Sequence, residues 1–330
     1  VEEALKLWSD VPVTARASTS TAWLTKAITM VMTRRRMSRD LARAYYRLAR
    51  ALRTGSTVAD PYHPEPTYIT LDTLRREFAS LTGDAEKPQE GRTESTPTTE
   101  TDPASQPAQP RETDADKPTE GDRVLVEKLD GLKADEDRLE REALLELRAA
   151  LEALGTKNLE RKLREIDPEA PAKDVDRLRD EAHAQAGARQ AAAAERIAMN
   201  GARSAVWNHA NRDKRALGYI RLSRTGTPCG WCAMLISRGP VYRSKNSAEY
   251  GDGDKYHDNC HCYAEPVFSD AQYSSSPLYA LNRKYEELWP QVTKGLSGKA
   301  AISAWRRFIR TEQQAAAQEA RRSTTSVQEA

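Results

Sequence analysis

Apolar residues recur at helical intervals over most of this chain and at strand intervals in only a few short runs. Trp23, Leu24, Ile28, Val31 and Met32 form one helical face. After a cap-like Ser38, the residues Leu41, Tyr45, Leu48 and Leu52 repeat at steps of four, three and four until Gly55 ends the helix. Pro61, Pro64 and Pro66 mark a turn region before Tyr68, Ile69 and Leu71, and a short helix is predicted over Leu74 to Leu81. Residues 1–83 therefore read as an N-terminal helical module.

Residues 84–121 break the pattern. Six prolines (Pro88, Pro97, Pro103, Pro107, Pro110 and Pro118) stand among Thr, Glu, Asp and Gln, with no Val, Ile, Leu, Met, Phe, Trp, Tyr or Cys. Such a run cannot bury enough surface to offset its ordering entropy, so it reads as a disordered linker that tethers the first module. Helical spacing returns over 122–200, a helical scaffold. Leu144, Leu147, Leu151 and Leu154 lead to a stop at Gly155, and Leu159, Leu163 and Ile166 extend a second short helix. Residues 173–217 then predict a long helix, Ala-rich at 191–194 and interrupted at Gly187 and Gly201. Heptads are too few for a long coiled coil, and a helical hairpin or bundle is expected.

The texture changes over 201–310. ALGYIRL (216–222), PVYR (240–243) and CYAEPVF (262–268) are β-capable runs, Cys232 to Ser237 fits one helical turn, and Leu278–Trp289 and Gly298–Ile309 read as two more helices. Trp289, Trp305 and Phe308 are available to pack back on the bundle, and residues 311–330 read as a polar, flexible tail. The expected fold class is α+β, mostly α: helical modules and a hairpin, then a small metal-stapled α+β domain and C-terminal helices.

Composition narrows the function classes. With 330 residues, a mean hydropathy of -0.76 and 6% aromatic residues, there is little core for the length. A formal charge of +2 means that any nucleic-acid surface has to be local. One local candidate exists: Arg34, Arg35, Arg36, Arg39, Arg43, Arg47, Arg50 and Arg53 face only Asp40 between 34 and 53. The solvated back of an amphipathic helix is the preferred reading, with DNA or an acidic protein as the alternative. No apolar run approaches the roughly 18 residues of a membrane span. The opening VEEALKLWSDVPV has neither the basic n-region nor the apolar h-region of a signal peptide, which fits a reducing cytoplasm.

All four cysteines lie in one stretch, as Cys229-x2-Cys232 and then His257-x2-Cys260-x-Cys262. A Cys-x2-Cys turn brings two thiolates to adjacent corners of a tetrahedron, and a second cluster completes a structural zinc site. Gly230 permits the turn. Cys260 and Cys262 point to one side of an extended segment and His261 to the other. The favoured ligands are Cys229, Cys232 and Cys262 with one or both of His257 and Cys260. Two disulfides, Cys-x2-Cys redox chemistry and a Cys260 nucleophile with a histidine base compete with the metal. Weaker signals are a packing or surface His209, Tyr242, Tyr250 and Tyr256 as core and rim, and a partial calcium-loop pattern in Asp252, Asp254 and Asp258 with Gly251 and Gly253.

AERIAMNGARSA (194–205), RALGYIRLSRTGTPCGWCAMLISRGPVY (215–242) and KYHDNCHCYAEPVF (255–268) together resemble the phage Mu protein F-like (MuF-like) family of head morphogenesis proteins of actinobacterial tailed phages. The shared pattern is a helix with an N-x-G-like element, a strand, a Cys-x2-Cys turn and a terminal His-x2-Cys-x-Cys. NRKYEELWPQVTKGLSGKAAISAWRRF (282–308) resembles the family's helical ending. The resemblance implies a minor virion protein of the portal region and inner head, assembled in the host cytoplasm, with portal, major capsid or scaffold protein as partners. Some members carry the label capsid maturation protease. That alternative lacks a motif here: there is no His-Glu-x-x-His, and His63, His183, His209, His257 and His261 accompany no Gly-x-Ser-x-Gly.

Overall fold

In the computed structural model of the chain, residues 1–16, 18, 20–83, 123–240 and 256–328 are described, with side chains to 319. The linker expected at 84–121 lies wholly outside the described residues, as do 241–243 of the PVYR run, Tyr242, Tyr250, Asp252 and Asp254. The helices are α1 (Glu2–Ser9), α2 (Thr21–Thr54), α3 (Leu71–Thr82), α4 (Leu132–Leu151), α5 (Lys157–Arg164) and α6 (Ala172–Arg212). They continue with α7 (Gly230–Ile236), α8 (Asp270–Ser275), α9 (Ala280–Val292) and α10 (Gly298–Gln328). The strands are β1 (Ser56–Val58), β2 (Tyr68–Thr70), β3 (Arg123–Glu127), β4 (Gly218–Ser223) and β5 (Cys262–Val267). The fold is α+β and mostly α, as the periodicity predicts.

Two compact units form, residues 1–46 with 129–330, and residues 47–128. These limits differ from the module boundary at 83, for a reason visible in the core. Ala4, Trp8, Trp23, Ala27 and Val31 bury their side chains with Leu147, Leu151, Leu159, Ala186 and Ile197. Trp8 meets Trp23 edge-on at 5.0 Å, stacks on His183 at 5.1 Å, and donates its indole N–H to His183 O at 3.0 Å. The first helices thus belong to the same core as the scaffold.

Three glycines read as stops or interruptions prove to be contacts. Gly155 lies in a π turn, Glu152–Thr156, that joins α4 to α5 without ending the helical path. A Cβ on Gly155 would lie 3.1 Å from the Trp23 ring, one on Gly187 2.4 Å from Trp8, and one on Gly201 2.2 Å from the Arg35 carbonyl. α6 runs unbroken past Gly187 and Gly201 because what these positions require is close helix approach. Ser38 likewise caps nothing: α2 continues through it, and its hydroxyl faces Arg35 O at 2.9 Å and Ala198 O at 2.7 Å.

The α2 arginines point largely inward. In the larger unit, Arg35 is 3% exposed, pairs with Glu140 at 3.0 Å and donates to Ile197 O at 3.1 Å. Arg43 pairs with the buried Glu136 at 2.7 Å, Arg39 with Asp40 at 3.0 Å, and Arg34 with Glu3. Beside them Tyr46 donates to Asp213 at 2.9 Å and packs against the fully buried His209, which the sequence reading placed as a packing or surface residue. In the smaller unit Arg47 reaches Val58 O at 3.0 Å and pairs with Glu65 and Glu77, and Arg50 pairs with Glu127. Arg35, Arg43, Arg47 and Arg50 are thus buried in ion pairs, most with carboxylates from distant segments, while Arg34, Arg36 and Arg53 remain exposed.

The smaller unit also holds a sheet that its helical pattern did not predict. β3 lies between β1, parallel to it, and β2, antiparallel to it, over a core of Ala51, Leu74 and Val124. Strands of three to five residues are too short to show a period of two.

β4 and β5 form an antiparallel ribbon with Gly218 opposite Val267 and Ser223 opposite Cys262. Trp289, Trp305 and Phe308 pack around α7 and the cysteines and not on the α4–α6 bundle. α10 carries on to Gln328, through the stretch whose polar composition suggested a frayed tail.

Candidate metal centre

The ribbon register places the two motifs. β4 ends at Ser223 opposite the first residue of β5, Cys262, so the chain leaving β4 and the chain entering β5 lie at one end of the ribbon. The first leads through a short loop to Cys229, the N-cap of α7, whose sulfur accepts from the Cys232 N–H at 3.4 Å. The second carries a turn in which Cys260 N–H donates to His257 O at 3.2 Å and Asn259 takes a φ of 59°. Asn is among the residues that tolerate this left-handed conformation. Gly230 has a different role from the one its turn position suggests: a Cβ there would lie 2.9 Å from the Arg306 side chain, so the residue admits α10.

All five sequence-predicted donors converge, as two triads that share Cys232. Cys229, Cys232 and His257 make one, and Cys232, Cys260 and Cys262 the other, the donor atoms of each within 4.8 Å of one another. His257 Nε2 lies 3.1 Å from Cys229 Sγ and 3.4 Å from Cys232 Sγ, and Cys232 Sγ lies 3.4 Å from Cys260 Sγ. The edge of a tetrahedral thiolate–imidazole zinc site is about 3.5–3.8 Å, close to the 3.1 and 3.4 Å separations here, and the two triads, joined at Cys232, would have to draw together to close on one ion. His261, a sixth candidate, belongs to neither triad.

The surroundings draw two of the four sulfurs toward the thiolate, while Cys232 is pushed up by hydrogen bonding to Cys229 and Cys260, and Cys262 is raised because its hydrogen bond to Cys232 is outweighed by that to Cys260 and by burial. Cys229 is held down to about 5 by hydrogen bonding from Cys232, against partial burial, with His257 adding to the effect. Cys260 is drawn below the ordinary thiol range by hydrogen bonds from Cys232 and Cys262. His257 Nδ1 sits 2.7 Å from Asp258 O. A proton there leaves Nε2 as the donor atom facing the sulfurs, the usual arrangement behind a metal-binding imidazole.

Two arginines that the sequence reading passed over complete the site. Arg203 donates to Cys260 O at 2.6 Å and Cys262 O at 3.0 Å, while Arg221 Nη1 lies 3.8 Å from Cys232 Sγ. Their guanidinium carbons lie 3.9 and 3.8 Å from the centroid of the same Tyr256 ring. Burial opposes the Arg221 charge, yet Tyr256 and the sulfurs of Cys232, Cys260 and Cys262 hold its pKa above the ordinary value. Arg203 is lowered, burial outweighing Tyr256, Cys260 and Cys262, with the Arg221 charge adding to the fall. Buried cations of this kind need compensating anions, and the thiolates are the nearest. Arg221 had a signal in the sequence: a lone charge inside the apolar run ALGYIRL.

This donor set can hold a metal ion, and a thiolate-rich set of four or five soft donors suits zinc or another soft-binding ion over calcium or magnesium. Elsewhere, among the described residues, no helix is long and apolar enough to cross a membrane. No curated protein and no solved structure matches the chain. The family model described as VG15 protein matches residues 146–288, so the part of the chain that holds all five donors is similar to a viral and phage protein family.

Proposed function

We propose that the chain is a minor virion protein of phage head morphogenesis, a structural and interaction protein of the portal region and inner capsid, whose small domain is stapled by zinc. The observation that carries this reading is a coincidence in sequence: residues 146–288, the span similar to VG15 protein, enclose Cys229, Cys232, His257, Cys260 and Cys262. The MuF-like resemblance of the same stretch supports a role in head assembly, with portal, major capsid or scaffold protein as partner. When bound, zinc supplies cross-links and charge neutralisation. The chain's own residues do the rest: Arg203 fixes the carbonyls of the second motif, and Arg221 and Tyr256 support it from behind.

One observation favours a second reading, a capsid maturation peptidase. Cys229 is exposed, has a depressed pKa and lies 3.1 Å from an imidazole nitrogen, the geometry of a thiolate–imidazolium pair. Against it, the same nitrogen lies 3.4 Å from a second thiol, an arrangement suited to a shared ion. The pair also differs from the Cys260 nucleophile that the sequence suggested.

Metal analysis of protein purified without chelator separates the two. One equivalent of zinc, lost in Cys229→Ser and Cys232→Ser together with folded structure around β4 and β5, supports the staple. Metal-free protein that is alkylated at Cys229 alone and cleaves capsid or scaffold protein would give the site to the peptidase. Heads assembled with Cys232→Ser, compared with wild type for portal-associated copies of the chain, test the assembly role.

A further inference from the structure

The same protein carries cations that its ion pairs do not use. The α2 arginines from 34 to 50, Arg36 apart, are engaged by the carboxylates Glu3, Asp40, Glu65, Glu77, Glu127, Glu136 and Glu140. α10 is the opposite case. It buries Ala301, Trp305 and Ile309 against α7 and α9, which turns Lys299, Arg306, Arg307 and Arg310 to solvent, and Lys294 is exposed just before it. Among the described residues none of these five lies within ion-pair distance of a carboxylate. The nearest acidic residue on the helix, Glu312, faces Lys284 at 3.8 Å. Arg306 is carried over the Trp231 ring, its guanidinium carbon 6.0 Å from the centroid, beside the Cys229–Cys232 turn.

We infer that this face of α10 and the turn before it bind the phosphate backbone of nucleic acid, without regard to base sequence. The spacing fits. Lys299, Arg306 and Arg310 stand at i, i+7 and i+11, spanning about 16 Å at 1.5 Å per residue, with Arg306 and Arg310 about 6 Å apart along the axis. That is comparable to the separation of successive phosphates on one strand. Three of the five cations are arginines, whose planar fork suits phosphate oxygens. Between Lys299 and Arg306 the exposed positions are Ala300 and Ser303, small residues, and Leu296, 45% exposed, is a single aliphatic side chain between Lys294 and Lys299, short of the anchor cluster that dominates protein–protein contacts. The surface is therefore one of charge, and charge at regular intervals is what a duplex presents. Neither the staple nor docking on the portal requires it.

The test is fluorescence anisotropy of a labelled 20-base-pair duplex with the full-length, metal-loaded protein. Binding is expected to fall with salt at a slope of about -4.5 in log K against log salt, or about 10²–10³-fold between 50 and 200 mM, for five phosphate contacts. Arg307→Gln with Arg310→Gln should reduce the slope by about 2. Arg36→Gln on α2, likewise exposed and without a carboxylate partner, should leave it unchanged. The exposed double variant retains the buried face of α10, and a matching thermal melt verifies that it is folded. No binding at 50 mM salt, or a slope that the double variant leaves intact, overturns the proposal. So does retention of the protein by poly-glutamate with none by the duplex, which would assign the face to an acidic protein.

Discussion

Cys229 and Arg221 show how differently single residues of one site announce themselves. Cys229 is recognisable from spacing alone, whereas the depressed pKa of its thiol depends on neighbours 3 and 28 positions away. In metal-free protein its alkylation by iodoacetamide should titrate with a midpoint at about 5, well below the ordinary thiol, and His257→Ala should move the midpoint upward. The sign follows from the lowered folded value: the thiolate stabilises the fold at pH above the unfolded thiol pKa, and this contribution is lost progressively as pH falls toward about 5. Arg221 was not legible as part of the site. A single charge in an apolar strand reads as an edge position until the sulfurs and Tyr256 are seen around it. Truncating it to Met should weaken metal retention, read as faster zinc transfer to a chelator, because the buried thiolates lose their compensating cation.

Helices were legible because a period of 3.6 repeats many times in α2, α4 and α6. Their interruptions were misread because glycine and serine mean different things when another helix lies against them. Gly201→Ala should lower stability by about 2–3 kcal/mol in chemical denaturation, since the added methyl meets the Arg35 carbonyl and backbone has little room to give. Gly155→Ala should have the smaller effect, because the atoms it meets at 3.1 and 3.2 Å belong to Trp23 and Trp8 rings. The ion pairs across α2 and α4 were illegible for another reason, as their members stand far apart in sequence. Replacing Arg43 by Met leaves Glu136, 2% exposed, without its closest cation and should lower stability by about 3–5 kcal/mol. Glu136→Gln in the same background should recover part of that loss, which identifies charge, and not packing, as the cause.

Across the molecule, order along the chain and order in the core diverge. The span similar to VG15 protein begins at residue 146, yet the core that supports it is completed by residues of the first 46. A chain starting at residue 129 should therefore bind a hydrophobic dye and melt at lower temperature than the full chain, because Leu147, Leu151, Leu159 and Ile197 lose Trp8, Trp23 and Val31. Composition could not reveal this, since a proline-rich run looks like a boundary whether or not the segments on either side of it share a core.

The bond from Trp8 to His183 closes over 175 positions. On a ribosome that distance is a waiting time. At 5–20 residues per second, α1 and the first half of α2 emerge on the order of ten seconds or more before α6 is there to receive them. Through that interval Trp8, Trp23, Ala27 and Val31 have only one another, without Leu147, Leu151, Leu159 and Ile197 to cover them, so the nascent segment is a natural client for a holding chaperone. Synthesis of the carboxyl-terminal half is what releases it.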